Sequence, residues 1–135
     1  MKRIILTTLV FSVLSFSNSF AQEIVKVTIS TKASIADALE KCKEAGKKEK
    51  MGSRDYEVND QNGKVTLWMT VGALTKADFF CEIKATNKDG VTTLNFRMPH
   101  TPGLMSSNWT KELKKITKHL ELPEMIIGEY FDGIE

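Results

Sequence analysis

The sequence predicts an α+β domain in which an antiparallel sheet of four to six strands carries two helices on one face, in the order β-α-β-β-β-β-α. Several short runs alternate apolar with polar residues, which is the pattern of strands with one buried face. Turn signals rich in Asn and Gly separate these runs and favour an antiparallel meander. Two other segments repeat apolar residues at helical spacing. If both helices cover the same sheet face, the result is a two-layer sandwich.

The first segment, residues 1–21, has the pattern of a secretory signal peptide. Two basic residues precede an uncharged, mostly apolar run, and small residues at Ser19 and Ala21 resemble a cleavage site. The run is too short to span a bilayer. We therefore expect a single domain over residues 22–135, periplasmic or secreted, with no membrane span.

The size and charge of that domain exclude several classes of protein. At 135 residues the whole chain is too short for a large multidomain enzyme. Without the two basic residues of the signal peptide, the domain has 17 acidic and 17 basic side chains. A balanced charge gives no general attraction for nucleic acid, so we expect no nucleic-acid partner.

The first elements of the domain are a strand and a helix. Alternation predicts a strand over Ile24–Ser30. Ser34, followed by Asp37 three residues later, is a helix-capping pair, and Gly46 is the expected stop. The apolar stripe of this helix consists of Ile35, Ala38, Leu39, Cys42 and Ala45.

The central part of the chain is predicted to be the meander. Its strands are expected at Asp55–Asn59, Lys64–Val71, Phe79–Ala85 and Thr92–Met98. Asn62-Gly63 is predicted to form the first hairpin turn, and Asn87–Gly90 the second, with Gly90 at positive φ.

A second helix is expected at Asn108–Leu120, with Ser106, Ser107 or Asn108 as its cap. Its lysines are a candidate site for an anionic ligand, although a solvated helix face has the same pattern; they are Lys111, Lys114, Lys115 and Lys118. The following run, Glu124–Phe131, is ambiguous between strand and helix.

The two cysteines are predicted to point into one core layer. Cys42 lies on the apolar stripe of the first helix, and Cys81 alternates in phase with Phe79 and Ile83. In an exported protein this arrangement predicts a disulfide, and the alternative is two reduced thiols that act as small apolar groups.

Trp68 and Phe80 are the candidate binding surface. Both lie on the polar face of the meander, where exposed aromatic rings suit a sugar ring or a protein partner. The competing expectation is that the C-terminal run Met125–Phe131 folds over both rings.

Evidence for catalysis in the sequence is sparse. No metal-ligand spacing, nucleotide-binding loop or nucleophile motif is present, so no metal or cofactor is expected. We expect a small binding or accessory module that binds a protein or a small ligand in the cell envelope. The alternatives are a secreted hydrolase with His100 or His119 as general acid or base, and an envelope interaction or inhibitor module.

Overall fold

The computed structural model describes residues 23–71, 77–100 and 109–135, and it confirms the predicted fold class. Its antiparallel sheet has seven strands in the order β2-β3-β4-β5-β1-β6, and β7 also pairs with β1. The elements are β1 (Glu23–Thr31), α1 (Ile35–Lys48), β2 (Gly52–Val58), β3 (Asn62–Val71), β4 (Ala77–Lys88), β5 (Val91–His100), α2 (Trp109–Lys118), β6 (Ile126–Ile127) and β7 (Phe131–Ile134).

One sheet face, called the covered face below, packs against both helices. It consists of alternate residues of the long strands, namely Val25, Val27, Ile29, Val65, Leu67, Phe79, Cys81, Ile83, Leu94, Phe96 and Met98. These residues form one buried cluster with the apolar stripes of α1 and α2. Trp109 at the start of α2 stacks on Phe79, with ring centroids 4.4 Å apart. The predicted two-layer packing follows from this alternation.

The first helix begins as predicted but ends later. Ser34 accepts a hydrogen bond from the backbone N–H of Asp37, which is the expected cap. The helix continues through Gly46 to Lys48, so the predicted stop at Gly46 is wrong. Gly46 is buried instead, and a side chain there would lie 2.8 Å from Leu67. Its lack of a side chain allows α1 to approach β3 closely.

The first hairpin turn lies two residues earlier than predicted. Asn59 closes it, because its side-chain oxygen accepts hydrogen bonds from the backbone N–H groups of Gln61 and Asn62. Gly63 is already in β3, where an added methyl group would lie 2.7 Å from both Ile35 and Leu39. A glycine that reads as a turn residue is thus a packing residue.

The second hairpin turn is confirmed. Asp89 and Gly90 connect β4 to β5 with φ of 53° and 80°. A two-residue turn with both φ values positive matches the right-handed twist of the flanking strands.

The C-terminal segment is strand where it is regular, and it lies far from the predicted position. β6 and β7 both pair with β1, at the edge of the sheet. Since β4 and β5 separate β1 from β3, the segment does not cover Trp68 and Phe80, and that expectation is wrong. Thr110 donates a hydrogen bond to Asp132 at 2.6 Å, which ties α2 to β7.

Some predictions fall outside the described residues. The signal peptide at 1–21 and the caps Ser106, Ser107 and Asn108 are among them. In the described ranges, neither helix is long and apolar enough to cross a membrane.

The opposite sheet face, called the bare face below, has no helix on it within the described residues. Its polar and aromatic side chains come from the other alternate positions, namely Lys26, Thr28, Lys64, Thr66, Trp68, Phe80, Glu82, Lys84, Asn95 and Arg97. This face is where the candidate site lies.

Candidate functional site

Trp68 and Phe80 are direct cross-strand neighbours on the bare face. The register of β3 and β4 places Trp68 opposite Phe80. Trp68 keeps 39% of its surface exposed, a large fraction for an indole, and Phe80 is half-buried. The predicted pairing of two aromatic rings on the polar face is therefore observed, with no described segment folded over it.

The indole of Trp68 rests on the edge strand. Gly52 of β2 pairs with Trp68, and a side chain added at Gly52 would lie 2.9 Å from the indole nitrogen. Gly52 thus leaves room for the indole beside the β2 backbone. Part of the indole therefore contacts the protein, and part of it is exposed to solvent.

Arg54 completes the aromatic pair, and sequence reasoning missed it. Its guanidinium carbon lies 4.7 Å from the centroid of the Phe80 ring. A cation over an aromatic face is attracted by the negative face of the ring. The ring of Phe80 therefore holds Arg54 in place, and Trp68 is left as the stacking surface. We call Arg54, Trp68 and Phe80 the aromatic shelf.

The sequence contains little that identifies Arg54 as a residue of the aromatic shelf. The predicted strand started at Asp55, whereas β2 starts at Gly52. All seven residues of β2 are exposed, so no buried alternation marks this strand. A bulge interrupts its pairing with β3 between Arg54 and Glu57, with Asp55 in the left-handed region at φ 56°.

Opposite charges are paired over most of the bare face. Glu82 lies 3.9 Å from Arg97, and Arg97 lies 3.5 Å from Glu135. Glu135 also accepts a hydrogen bond from Lys26 at 2.7 Å, and this contact is the main cause of its lowered pKa. Glu82, two residues from Phe80 on β4, and Arg97 opposite it on β5 thus place planar hydrogen-bonding groups near the aromatic shelf.

Two hollows lie beside the shelf, each of about 200 Å³. Both are lined by Lys64 and Lys84, which face each other directly across β3 and β4. Lys64 lies 3.7 Å from Glu57. Lys84 has no ion pair within the part of the chain that the structure describes.

The lysines of α2 do not converge on one point. Lys114 lies over the ring of Tyr130, and Lys115 is 3.9 Å from Glu112. Lys111 and Lys118 are exposed and have no ion pair among the described residues. The α2 site remains a prediction, with two of its four cations engaged within the protein.

The two cysteines share the core, but they are not bonded. Cys42 and Cys81 are both free and fully buried in the apolar cluster, so the predicted disulfide does not form in this structure. Burial raises the pKa of Cys42 to about 12 and also raises that of Cys81. The thiolate is the reactive form of cysteine, so both residues act as small apolar groups.

His119 lies at the junction of the two helices. Its Nε2 atom is 2.9 Å from a carboxylate oxygen of Glu49, which follows α1 directly. Glu112 is close to Glu49; burial, and then the charge of Glu49, raise the pKa of Glu112. No group of three or more metal-ligating side chains suited to a metal ion occurs in the described residues. The contact joins the end of α1 to α2.

His100 lies at the end of a strand. It is the last residue of β5 and pairs with Glu23 of β1. Its side chain lies outside what the structure describes, so its part in any chemistry stays a prediction.

The chain matches no protein-family model, and no curated protein matches it at a significant level.

Proposed function

We propose that this protein is an exported binding module whose bare face recognises a saccharide of the cell envelope through the aromatic shelf. The observation on which this depends is Trp68, an indole that is 39% exposed and lies close to Gly52 of the neighbouring strand. The C–H groups of a sugar ring stack on such a ring, because the π face of an indole is negative.

The polar surroundings support a sugar over a protein as the ligand. Sugars need planar donors and acceptors close to the stacking ring, and Arg54, Glu82 and Arg97 supply both kinds on neighbouring strands. A protein partner of standard size needs about 800 Å² per side with an apolar centre. Among the described residues, the centre of the bare face offers two aromatic rings surrounded by charged and hydroxyl side chains.

Glycan-array binding of the purified domain tests this proposal, with Trp68→Ala as the decisive variant. Removal of the indole should weaken binding at least about tenfold, since stacked aromatic anchors dominate the binding energy of a small site. Trp68 is exposed, so the variant should retain its cooperative unfolding transition.

Tyr56→Ala is the matched control. Tyr56 has the same 39% exposure and belongs to the same edge of the sheet, but its ring lies under Lys43 of α1, on the helix side. Its replacement should change glycan binding by less than about twofold. Failure of the wild-type domain to bind any glycan, or equal losses in the two variants, would contradict the proposal.

The hydrolase alternative has one observation in its favour, which is the bond between His119 and Glu49. A histidine held by a carboxylate is a common acid–base arrangement. The alternative predicts hydrolysis of an envelope substrate that is lost in His119→Gln with the fold intact. The binding proposal predicts that His119→Gln leaves glycan affinity unchanged.

A further inference from the structure

The pairing of Lys64 with Lys84 is unusual for this sheet. Glu57 opposite Lys64 and Glu82 opposite Arg97 have opposite signs. A second like-charged pair on the bare face, Lys26 opposite Arg97, shares the carboxylate of Glu135, which lies 2.7 Å from Lys26 and 3.5 Å from Arg97. Among the described residues, Lys64 and Lys84 share no such carboxylate. Like charges directly opposite each other on antiparallel strands destabilise the pair, and their Cβ atoms are about 5 Å apart. Lys84 gains no compensation from its other neighbour, because the residue opposite it on β5 is Asn95.

The surroundings of the two lysines favour an anion between them. Both hollows beside the shelf are lined by this pair of residues. Asp55 and Glu82 also line one hollow, but each has its own cation, at 3.7 Å in Arg54 and 3.9 Å in Arg97. The uncompensated charge of the region is therefore that of Lys84.

We propose that Lys64 and Lys84 form an oxyanion subsite, and that the ligand of the bare face is an acidic oligosaccharide. This inference depends on the proposed function, since the ring that stacks on Trp68 and the acidic group must belong to one molecule. Trp68 and Lys64 are four positions apart on β3, which is about 13 Å along a strand. A single sugar ring does not span that distance, so the ligand has several units, one of which carries a carboxylate, sulfate or phosphate group.

The subsite is tested with inorganic sulfate and with Lys84→Gln. Sulfate, compared with chloride at the same ionic strength, should shift backbone amide resonances around Lys64 and Lys84 in the wild-type protein. Lys84→Gln should abolish those shifts and unfold at a slightly higher denaturant concentration, because it removes the like-charge pair. Lys118→Gln is the matched control, as it also removes one exposed, unpaired lysine. It should keep the shifts around Lys64 and Lys84.

The ligand class is tested by calorimetry with tetragalacturonate and with cellotetraose, a neutral chain of the same length. The acidic chain should bind about tenfold more tightly, and Lys84→Gln should remove that preference, which is the loss expected for one charge-assisted hydrogen bond. Added salt should weaken binding of the acidic chain alone.

The outcomes separate the two proposals. Equal affinity for both chains, abolished by Trp68→Ala, would overturn the subsite and leave the proposed function standing. Sulfate shifts that disappear in Lys118→Gln and persist in Lys84→Gln would move the anion site to α2 and overturn the inference. Binding of neither chain, with no glycan bound on the array, would overturn both.

Discussion

The two faces of the sheet carry different kinds of side chain, because apolar and polar residues alternate along its strands. The covered face is built almost entirely from Val, Ile, Leu, Met and Phe, and its side chains are nearly inaccessible to water. The bare face carries charged, hydroxyl and aromatic side chains on the same strands. Burial of apolar surface provides most of the stability of a fold, so a polar face is free to serve another purpose. Folding therefore depends on one side of the sheet, and the proposed ligand recognition lies on the other.

Adjacent residues of β5 give the sharpest test of this division. Phe96 is fully buried on the covered face, and Asn95 beside it is exposed on the bare face. Phe96→Ala should lower the free energy of unfolding by about 3–5 kcal/mol, through lost burial and the cavity left behind. Asn95→Ala removes an exposed hydrogen bond from Thr28 and should cost about 1 kcal/mol or less. Urea denaturation measures the free energy of unfolding of both variants. Similar losses in the two would contradict the division between the covered face and the bare face.

A smaller effect is expected where the covered face approaches α1 most closely. Gly63→Ala would place a methyl group 2.7 Å from Ile35 and Leu39, and overpacking of this kind costs about 1–3 kcal/mol. The loss should be smaller in a Leu39→Ala background, since that change removes one of the two clashing groups.

Gly90→Ala is the control for Gly63→Ala. It introduces the same methyl group where no atom lies within 4 Å, and its penalty comes from the positive φ of the turn. Leu39→Ala should therefore leave the penalty at Gly90 unchanged. If Leu39→Ala reduces the stability penalty at both glycines, or at neither, the close approach of α1 is not the cause of the penalty at Gly63.

The smallest effect on stability is expected at Glu112, which lies close to Glu49 on the helix side of the sheet. Burial, the charge of Glu49 and a hydrogen bond to Glu49 all raise the pKa of Glu112. A carboxyl group with a raised folded-state pKa favours folding in its protonated form, so its contribution is lost as the pH rises from about 4.5, its ordinary value. Glu112→Gln keeps a donor toward Glu49 and should stabilise the protein by about 0.5 kcal/mol at neutral pH. The gain should vanish near pH 4 in denaturation curves.

Glu135→Gln supplies the opposite sign as a control. The hydrogen bond from Lys26 lowers the pKa of Glu135, so its charged form favours folding. Its replacement should lower stability at neutral pH, with the loss disappearing as the pH falls through the lowered pKa. If both variants change the stability at neutral pH in the same direction, the contacts described for Glu112 and Glu135 do not determine the shifts of their pKa values.

The sequence predicts the covered face well because local rules determine it. Alternation identifies the inward residues of β3 to β5, the cap at Ser34 starts α1, and Asp89-Gly90 permits only a tight turn. Gly46 and Gly63 were misread as a stop and a turn. A glycine at a chain reversal and a glycine at a close approach look alike in one sequence.

The candidate site was only partly predictable, for a related reason. Trp68 and Phe80 follow from alternation within a hairpin, which is a local pairing. Arg54 belongs to an exposed edge strand with a bulge, so no periodicity places it over Phe80. The docking of β6 and β7 on β1 depends on contacts between distant parts of the chain, which local patterns do not encode.

The position of β1 has a consequence for the order of folding. This strand comes first in the described chain, yet it lies between β5 and the C-terminal strands, with Glu23 opposite both His100 and Ile134. The β3–β4–β5 meander forms from neighbouring residues, whereas β1 must wait for partners made much later. In synthesis from the N-terminus, the sheet therefore closes only after nearly the whole sequence has been made.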